Sequence, residues 1–280
     1  MANTILVPVD YSENALSAAH YACSLAKLLN CNIELLHAYQ PFTSSFQSPL
    51  ANQTDKQRAA IGAEKGMSEF LGKLKLDKGN NLEIQSTLFE GPLLESVEHA
   101  CKTDQISLIV MGTHGASGIR ADLIGSNTYH VAKSVVKPLI VVPHNYIMNG
   151  SLNAVFFSDF HKDDKYTGNV FAKIFKEYFS KISLIHILSK EQIADQTAAK
   201  LESWHSVLKP ILQMQLENAI VDQPETIETV NRILEQSSAD MCLLTLAHDR
   251  NFFENLFQKS LAKAIILNPR CPVFLAGKMV

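Results

Sequence analysis

The chain has 280 residues, of which 46% are hydrophobic and 19% charged, enough for two units of about 130 to 150 residues with their own cores and unlike a disordered segment. A net charge of −3 argues against a general nucleic-acid binder, which would be basic, and no apolar run approaches the roughly 20 residues of a membrane-spanning helix. Asp10 and Glu13 follow the first apolar run directly, unlike a signal peptide, and five cysteines without a Cys-x-x-Cys pair suit reduced thiols in a cytoplasm.

In chain order, Thr4 to Val9 is a predicted strand, and Ser12 is an N-cap for a helix reaching about Leu29, with Glu13 favourable in its first turn. Asn32 to Tyr39 is a second strand. Gln40 to Thr54, with Pro41, Pro49 and three serines, reads as a loop, and a helix follows from about Asp55 to Leu76, offering Ile61, Phe70, Leu71 and Leu74 to the core. Leu82 to Phe89 is the third strand, and Pro92 suits the first turn of a helix ending near Thr103. The nearly continuous apolar run from Ile106 to Met111 predicts a strand covered on both faces. This alternation implies a doubly wound parallel α/β sheet with right-handed crossovers.

Met111-Gly112-Thr113-His114-Gly115, nine residues, then Gly125-Ser126-Asn127 have the form of a phosphate cradle. Gly112 and Gly115, lacking Cβ atoms, can take positive φ and bring backbone N–H groups against phosphate oxygens. Gly125 and Ser126 precede a predicted helix, Asn127 to Val136, whose N-terminus favours an anion. The competing reading is that these glycines only form tight turns.

Gly-x2-Gly-x9-Gly-Ser resembles the ATP-binding signature of the universal stress protein family. Ile5-Leu6-Val7-Pro8-Val9-Asp10-Tyr11-Ser12 resembles that family's first strand and turn, Leu35-Leu36-His37-Ala38 its second strand, and Lys137 to Pro143 its last. The resemblance implies a Rossmann-like sheet of order 3-2-1-4-5. It also implies an adenine nucleotide (ATP, or AMP or ADP), with Mg²⁺ at the phosphates. Asp10 and the backbone around Pro8 and Val9 would hold ribose and adenine, with Ala38 lining the adenine pocket. Met111, Gly112, His114, Gly115, Gly125, Ser126 and Asn127 would hold ribose and phosphates. Asp10 has a competing role as a cap of the next turn. Arg120 reads as a solvated arginine or as a contact to a terminal phosphate.

The second half repeats the first. His37 and His186 are 149 positions apart, as are Asp10 and Asp159, whereas Pro138 and Pro272 are 134 apart, so the second copy is 15 residues shorter in its middle. Two domains follow, 1–147 and 148–280. Carrying the shift of 134 through the cradle lays Gly112 on Leu246, Gly115 on Asp249 and Gly125 on Lys259, with Ser126 on Ser260 and His114 on His248. The second domain is therefore expected not to bind ATP in the family's manner. Asp159, His161, Asp163, His248 and Asp249 are a candidate metal cluster in that half, against the plainer reading of solvated loop residues.

The leading expectation is an ATP-binding regulatory stress-response protein, with a structural or partner-binding second domain. The alternatives are a slow Mg-dependent ATPase and a nucleotide-free interaction scaffold. No catalytic residue is singled out, and no Walker lysine follows the glycines. By the same resemblance the two domains pair as a pseudo-dimer through Leu139 to Val142 and Val273 to Ala276. An unknown protein partner and a homodimer of chains are the partners expected besides the nucleotide.

Overall fold

The computed structural model describes residues 3–74, 82–113, 126–148, 152–188, 192–246 and 259–278. The first half runs β1 (Thr4–Pro8), α1 (Glu13–Leu29), β2 (Asn32–Tyr39), α2 (Pro49–Lys73), β3 (Ile84–Glu90), α3 (Leu93–Cys101), β4 (Ile106–Gly112), α4 (Ser126–Ser134) and β5 (Leu139–Val142). The second runs β6 (Leu152–Phe157), α5 (Asp164–Phe175), β7 (Phe179–Ile187), α6 (Ala194–Leu212), β8 (Gln215–Val221), α7 (Ile227–Gln236), β9 (Met241–Leu244), α8 (Lys259–Leu267) and β10 (Val273–Leu275).

Strands follow the order β3-β2-β1-β4-β5-β10-β9-β6-β7-β8, so the expected 3-2-1-4-5 order occurs in each half. Pairing is parallel within a half and antiparallel where the halves meet, at β5 and β10. There Ile140 faces Phe274, flanked by Leu139 with Leu275 and Val141 with Val273. The matched residues Ile140 and Phe274 thus face one another at a pseudo-twofold axis, and the pairs on either side exchange across it. Both β5 and β10 are buried along their length, which explains why neither carries the charges that protect an exposed edge.

Helices cover both faces. On one, Ile5 and Val7 of β1 pack with Ala18, Ala22 and Leu25 of α1; on the other, Leu6 and Ile109 pack with Val97 of α3 and Val131 of α4. Each core runs through both halves, so the pair folds as one sandwich of helix, sheet and helix. Helix α1 starts where the Ser12 hydroxyl accepts from the Ala15 N–H and stops at Asn30, whose φ of 52° ends the helix in the left-handed region.

Three local expectations change. Helix α2 begins at Pro49, capped by Ser48, six residues before Asp55; proline at the first helical position starts a helix rather than marking a loop. Its core face is Ala63, Met67 and Phe70, followed by Leu74 at the C-cap, whereas Ile61 is 64% exposed and Leu71 lies at the surface, because the buried stripe falls at three- and four-residue spacing from Ala63. Pro92 is the N-cap of α3 rather than a residue of its first turn.

The repeat also shifts by one residue. Ile5 pairs with Leu108 and its counterpart Ala154 with Met241, so β4 maps onto β9 at an offset of 133, not 134. Helices α4 and α8 share that offset, while β5 and β10 keep 134. The extra residue therefore lies between α8 and β10. Gly112 corresponds to Thr245 instead of Leu246, and Ser126 to Lys259 instead of Ser260.

Candidate functional site

In a doubly wound sheet the crevice lies beyond the carboxyl ends of the two strands where the order reverses, here β1 and β4. The structure brings Pro8, Val9 and Asp10 to this edge from β1, Ala38 from β2, Met111 and Gly112 from β4, and Ser126 and Asn127 from the first turn of α4. His114, Gly115, Gly125 and Arg120 lie outside the described residues.

Several of these residues have internal partners. Val9 donates its N–H to Leu36 at 2.8 Å and its carbonyl accepts from His37 Nδ1 at 2.8 Å, so both backbone groups are engaged within the protein. Asp10 is exposed, and its Oδ1 accepts from the Ser12 N–H at 3.1 Å and the Ser12 hydroxyl at 2.6 Å, the capping arrangement. Ala38 is half-buried, Met111 is buried beneath the edge, and Asn127 is exposed. Gly112 does not take positive φ; among the described glycines only Gly91 and Gly277 do. A Cβ at Gly112 would lie 2.8 Å from the Asn14 carbonyl oxygen, so glycine there lets the first turn of α1 close on the end of β4. The Thr128 hydroxyl donates to the Gly112 carbonyl at 2.9 Å and ties α4 to the same strand end.

Tyr11 and Thr128 escaped the sequence reading. Tyr11 follows Asp10 with φ of 66°, stacks on His37 at 4.1 Å between centroids and donates its hydroxyl to Ala63 of α2 at 2.7 Å. Burial pushes its phenol up to about 12. Gly66 of α2 lies against the ring, where a Cβ would overlap it. Neither contact leaves a local signal, because the partners are about 50 residues away in sequence.

The second half builds the same turn with other side chains. Phe160 matches Tyr11, with φ of 64°, and its ring lies 4.4 Å from that of His186, the match of His37. His186 Nδ1 donates to the Ser158 carbonyl at 2.8 Å, as His37 does to Val9, and also lies 3.4 Å from Asp159 Oδ1. Its Nε2 is 2.9 Å from Gln192 Oε1. Burial opposes charge on this ring, but the hydrogen bonds to Asp159 and Gln192 outweigh it and raise its pKa. Burial and the nearby Asp159 raise that of Glu225.

Beneath this turn, Ser158 replaces Val9, Asp164 replaces Ala15 and Thr245 replaces Gly112. Asp164 is 1% exposed and accepts from the Ser158 hydroxyl and, at 3.2 Å, from Trp204 Nε1. Thr245 also hydrogen-bonds it and lies 3.0 Å from the Thr167 hydroxyl. Burial pushes the Asp164 carboxyl up to about 6 despite these donors. Ser158, Asp164, Thr167 and Thr245 thus fill the position that Val9, Ala15, Ala18 and Gly112 occupy in the first half.

For metal binding, no group of three or more His, Cys, Asp or Glu side chains is suitably placed among the described residues. His161 Nδ1 lies 3.5 Å from Asp163, while His248 and Asp249 lie outside the described residues. No described helix is long and apolar enough to cross a membrane.

The model of the universal stress protein family matches residues 1–143. The chain belongs to the universal stress protein family. A universal stress protein of Methanocaldococcus jannaschii is 30% identical over 139 residues, which make up 49% of this chain and 80% of that protein. One of Thermus aquaticus is 28% identical over 142 residues, 51% of this chain and 99% of that protein. Both alignments thus span about half of this chain. The crystal structure of a universal stress protein from Archaeoglobus fulgidus extends the likeness to the whole fold, with a TM-score of 0.71 over 99% of this chain and 96% of that one at 17% identity. The universal stress protein architecture therefore accounts for the second half as well, although its side chains at the carboxyl edge differ.

Proposed function

We propose that this chain is a nucleotide-binding regulatory protein of the stress response, with one adenine nucleotide held at the carboxyl edge of the first half. The observation that carries the proposal is the meeting of Asp10, Gly112 and the first turn of α4 at the β1/β4 reversal. The residues there fit the ligand. Helix α4 opens toward the edge with Ser126 and Asn127 and has no acidic residue in its first turn, so its N-terminal dipole is left for an anion. Ala38 is small enough to leave room beside β2 for a base. Asp10, exposed, presents a carboxylate to ribose hydroxyls while Ser12 orients it. We assign the floor to Pro8, Val9 and Met111, and the sequence motif assigns phosphate contacts to His114, Gly115 and Gly125. Mg²⁺ accompanies the phosphates and supplies charge neutralisation.

The second half has no glycine at the match of Gly112 and fills its crevice with Ser158, Asp164 and Thr245. We assign residues 148–280 a structural or partner-engaging role and residues 1–147 the ligand. The test is to purify the chain without added nucleotide, denature it and count released nucleotide per chain, then titrate the protein with ATP and Mg²⁺. About one adenine nucleotide per chain, lost in Gly115→Asp, is expected. Two per chain would overturn the assignment to one half, and none under either condition would leave a scaffold. Turnover of the bound ATP would convert the reading to a slow ATPase.

A further inference from the structure

The first turn of α4 opens toward the phosphate position assigned above, and the second half holds the other end of the same helix. Beyond β10 the chain passes through Gly277, at φ of 81°, and the Lys278 N–H donates to the Val135 carbonyl at 2.8 Å, at the C-terminal end of α4. That carbonyl is one of the last four of a helix, which the helix itself cannot satisfy. A Cβ at Gly277 would lie 2.6 Å from the Lys137 carbonyl oxygen and 2.7 Å from that of Val136, so glycine is what lets the segment lie this close. Along its side α4 meets α8, where Lys263 lies 5.7 Å from the centre of the Tyr129 ring, with Lys133 of α4 itself at 5.8 Å. We propose that Gly277 and Lys278 form a positioning clamp on α4, through which the second half sets how tightly the first half holds nucleotide phosphates. The inference rests on the nucleotide reading above and assigns the regulation of that site to the second half.

The clamp matters because α4 is short. It has 9 residues, a length at which a helix is not stable alone and keeps its direction through what holds it. Near its start the Thr128 hydroxyl ties it to the Gly112 carbonyl, and Val131, Ala132 and Val135 are buried against the sheet. The Lys278 N–H closes the far end, and the exposed Lys278 adds a positive charge beside the negative pole of the helix dipole. Losing the cap frays the last turn and lets the axis tilt, which turns the N-terminal N–H groups away from an anion. The arrangement is one-sided. Strands β5 and β10 match at an offset of 134, so Gly277 and Lys278 correspond to Pro143 and His144. Pro143 has no N–H to donate, and after it the first half turns back on its own α1, where the Asn145 N–H donates to the Ser17 hydroxyl at 3.2 Å. Among the described residues no backbone hydrogen bond runs from Pro143 or His144 to α8. The half without the glycine motif therefore holds the phosphate helix of the half that has it, and the contact is not returned.

Titration with ATP and Mg²⁺, together with hydrogen exchange of the α4 amides, tests the clamp in the intact protein. Gly277→Ala and Lys278→Pro, which removes the N–H, should each weaken ATP binding by about tenfold. Both should speed exchange of the Val135 amide, which bonds to the Val131 carbonyl. Lys278→Ala keeps the N–H and should change affinity by less than about twofold. Leu208→Ala opens a cavity under α6, on the opposite face of the sheet from α4, and should lower stability with affinity unchanged. Because coupling is reciprocal, ATP should slow exchange of the Lys278 amide in the wild type. A wild type that binds ATP, with affinity unchanged in Gly277→Ala or in Lys278→Pro, overturns the clamp and leaves the nucleotide reading standing. A wild type that binds no ATP overturns both. Equal loss of affinity in Leu208→Ala, or Val135 exchange unmoved in Gly277→Ala, also overturns the clamp. If Gly277→Ala does not fold, Lys278→Pro decides alone by the same two readouts.

Discussion

Asp10 and Asp159 occupy matched turns on matched strands, each followed by an aromatic residue at positive φ whose ring lies against a histidine. Yet Asp10 is exposed and accepts from Ser12, whereas the Asp159 side chain is 8% exposed and lies against His186. Beneath the first turn the residues are Val9, Ala15 and Gly112; beneath the second they are Ser158, Asp164 and Thr245. Among the described residues each half builds five strands, four helices and the same turn, and the side chains differ at the place where a doubly wound sheet can hold a ligand. The framework that positions a site and the groups that occupy it are separable properties of the chain.

The largest expected effect tests the part that the halves share. Phe274 is fully buried, faces Ile140 at the pseudo-twofold axis and packs edge-to-face on Phe171 and Phe175 at 5.3 and 6.0 Å. Phe274→Ala should cost about 3 to 5 kcal/mol in urea unfolding, because the cavity opens where three aromatic rings meet. Both halves should lose protection from hydrogen exchange together. Loss confined to the second half would show that the β5–β10 seam does not couple them.

An intermediate effect is expected where the halves differ. Gly112→Ala places a Cβ 2.8 Å from the Asn14 carbonyl oxygen, a backbone atom that cannot rotate away. It should destabilise the protein by about 1 to 3 kcal/mol and weaken nucleotide retention with it. The reverse exchange, Thr245→Gly, removes a donor to Asp164 and a methyl group but creates no overlap, so it should change stability less and leave nucleotide content unchanged. Equal losses in the two variants would mean that the matched positions are not specialised.

How far the sequence revealed this depends on what each residue signals locally. Buried strands showed as apolar runs, α1 through the Ser12 cap, and the repeat through His37 and His186 with their flanking leucine and isoleucine. The same apolar runs hid the register: β9 is buried on both faces, so no alternation distinguishes a shift of 133 from one of 134 until the partner strand is seen. Gly112 was legible as a required glycine, but its cause is the approach of Asn14, which no spacing within the motif encodes. Asp164 was not legible at all, because an acidic residue at the start of a helix reads as solvated until Trp204, 40 residues on, is found above it.

The smallest effect sharpens the role of the paired aromatics. Tyr11 and Phe160 differ by one hydroxyl, which in the first half donates to Ala63 and holds α2 against the turn that carries Asp10. Tyr11→Phe makes the first turn resemble the second, keeping the ring on His37 and against Gly66 while leaving the Ala63 carbonyl without that donor. The cost should be about 1 kcal/mol in denaturant unfolding, since one net hydrogen bond is lost and no cavity forms. If Asp10 needs α2 to hold its turn, nucleotide affinity should fall with stability. If affinity is unchanged at the same loss of stability, the turn that carries Asp10 is held without α2, and the hydroxyl serves only the packing of α2 on the sheet.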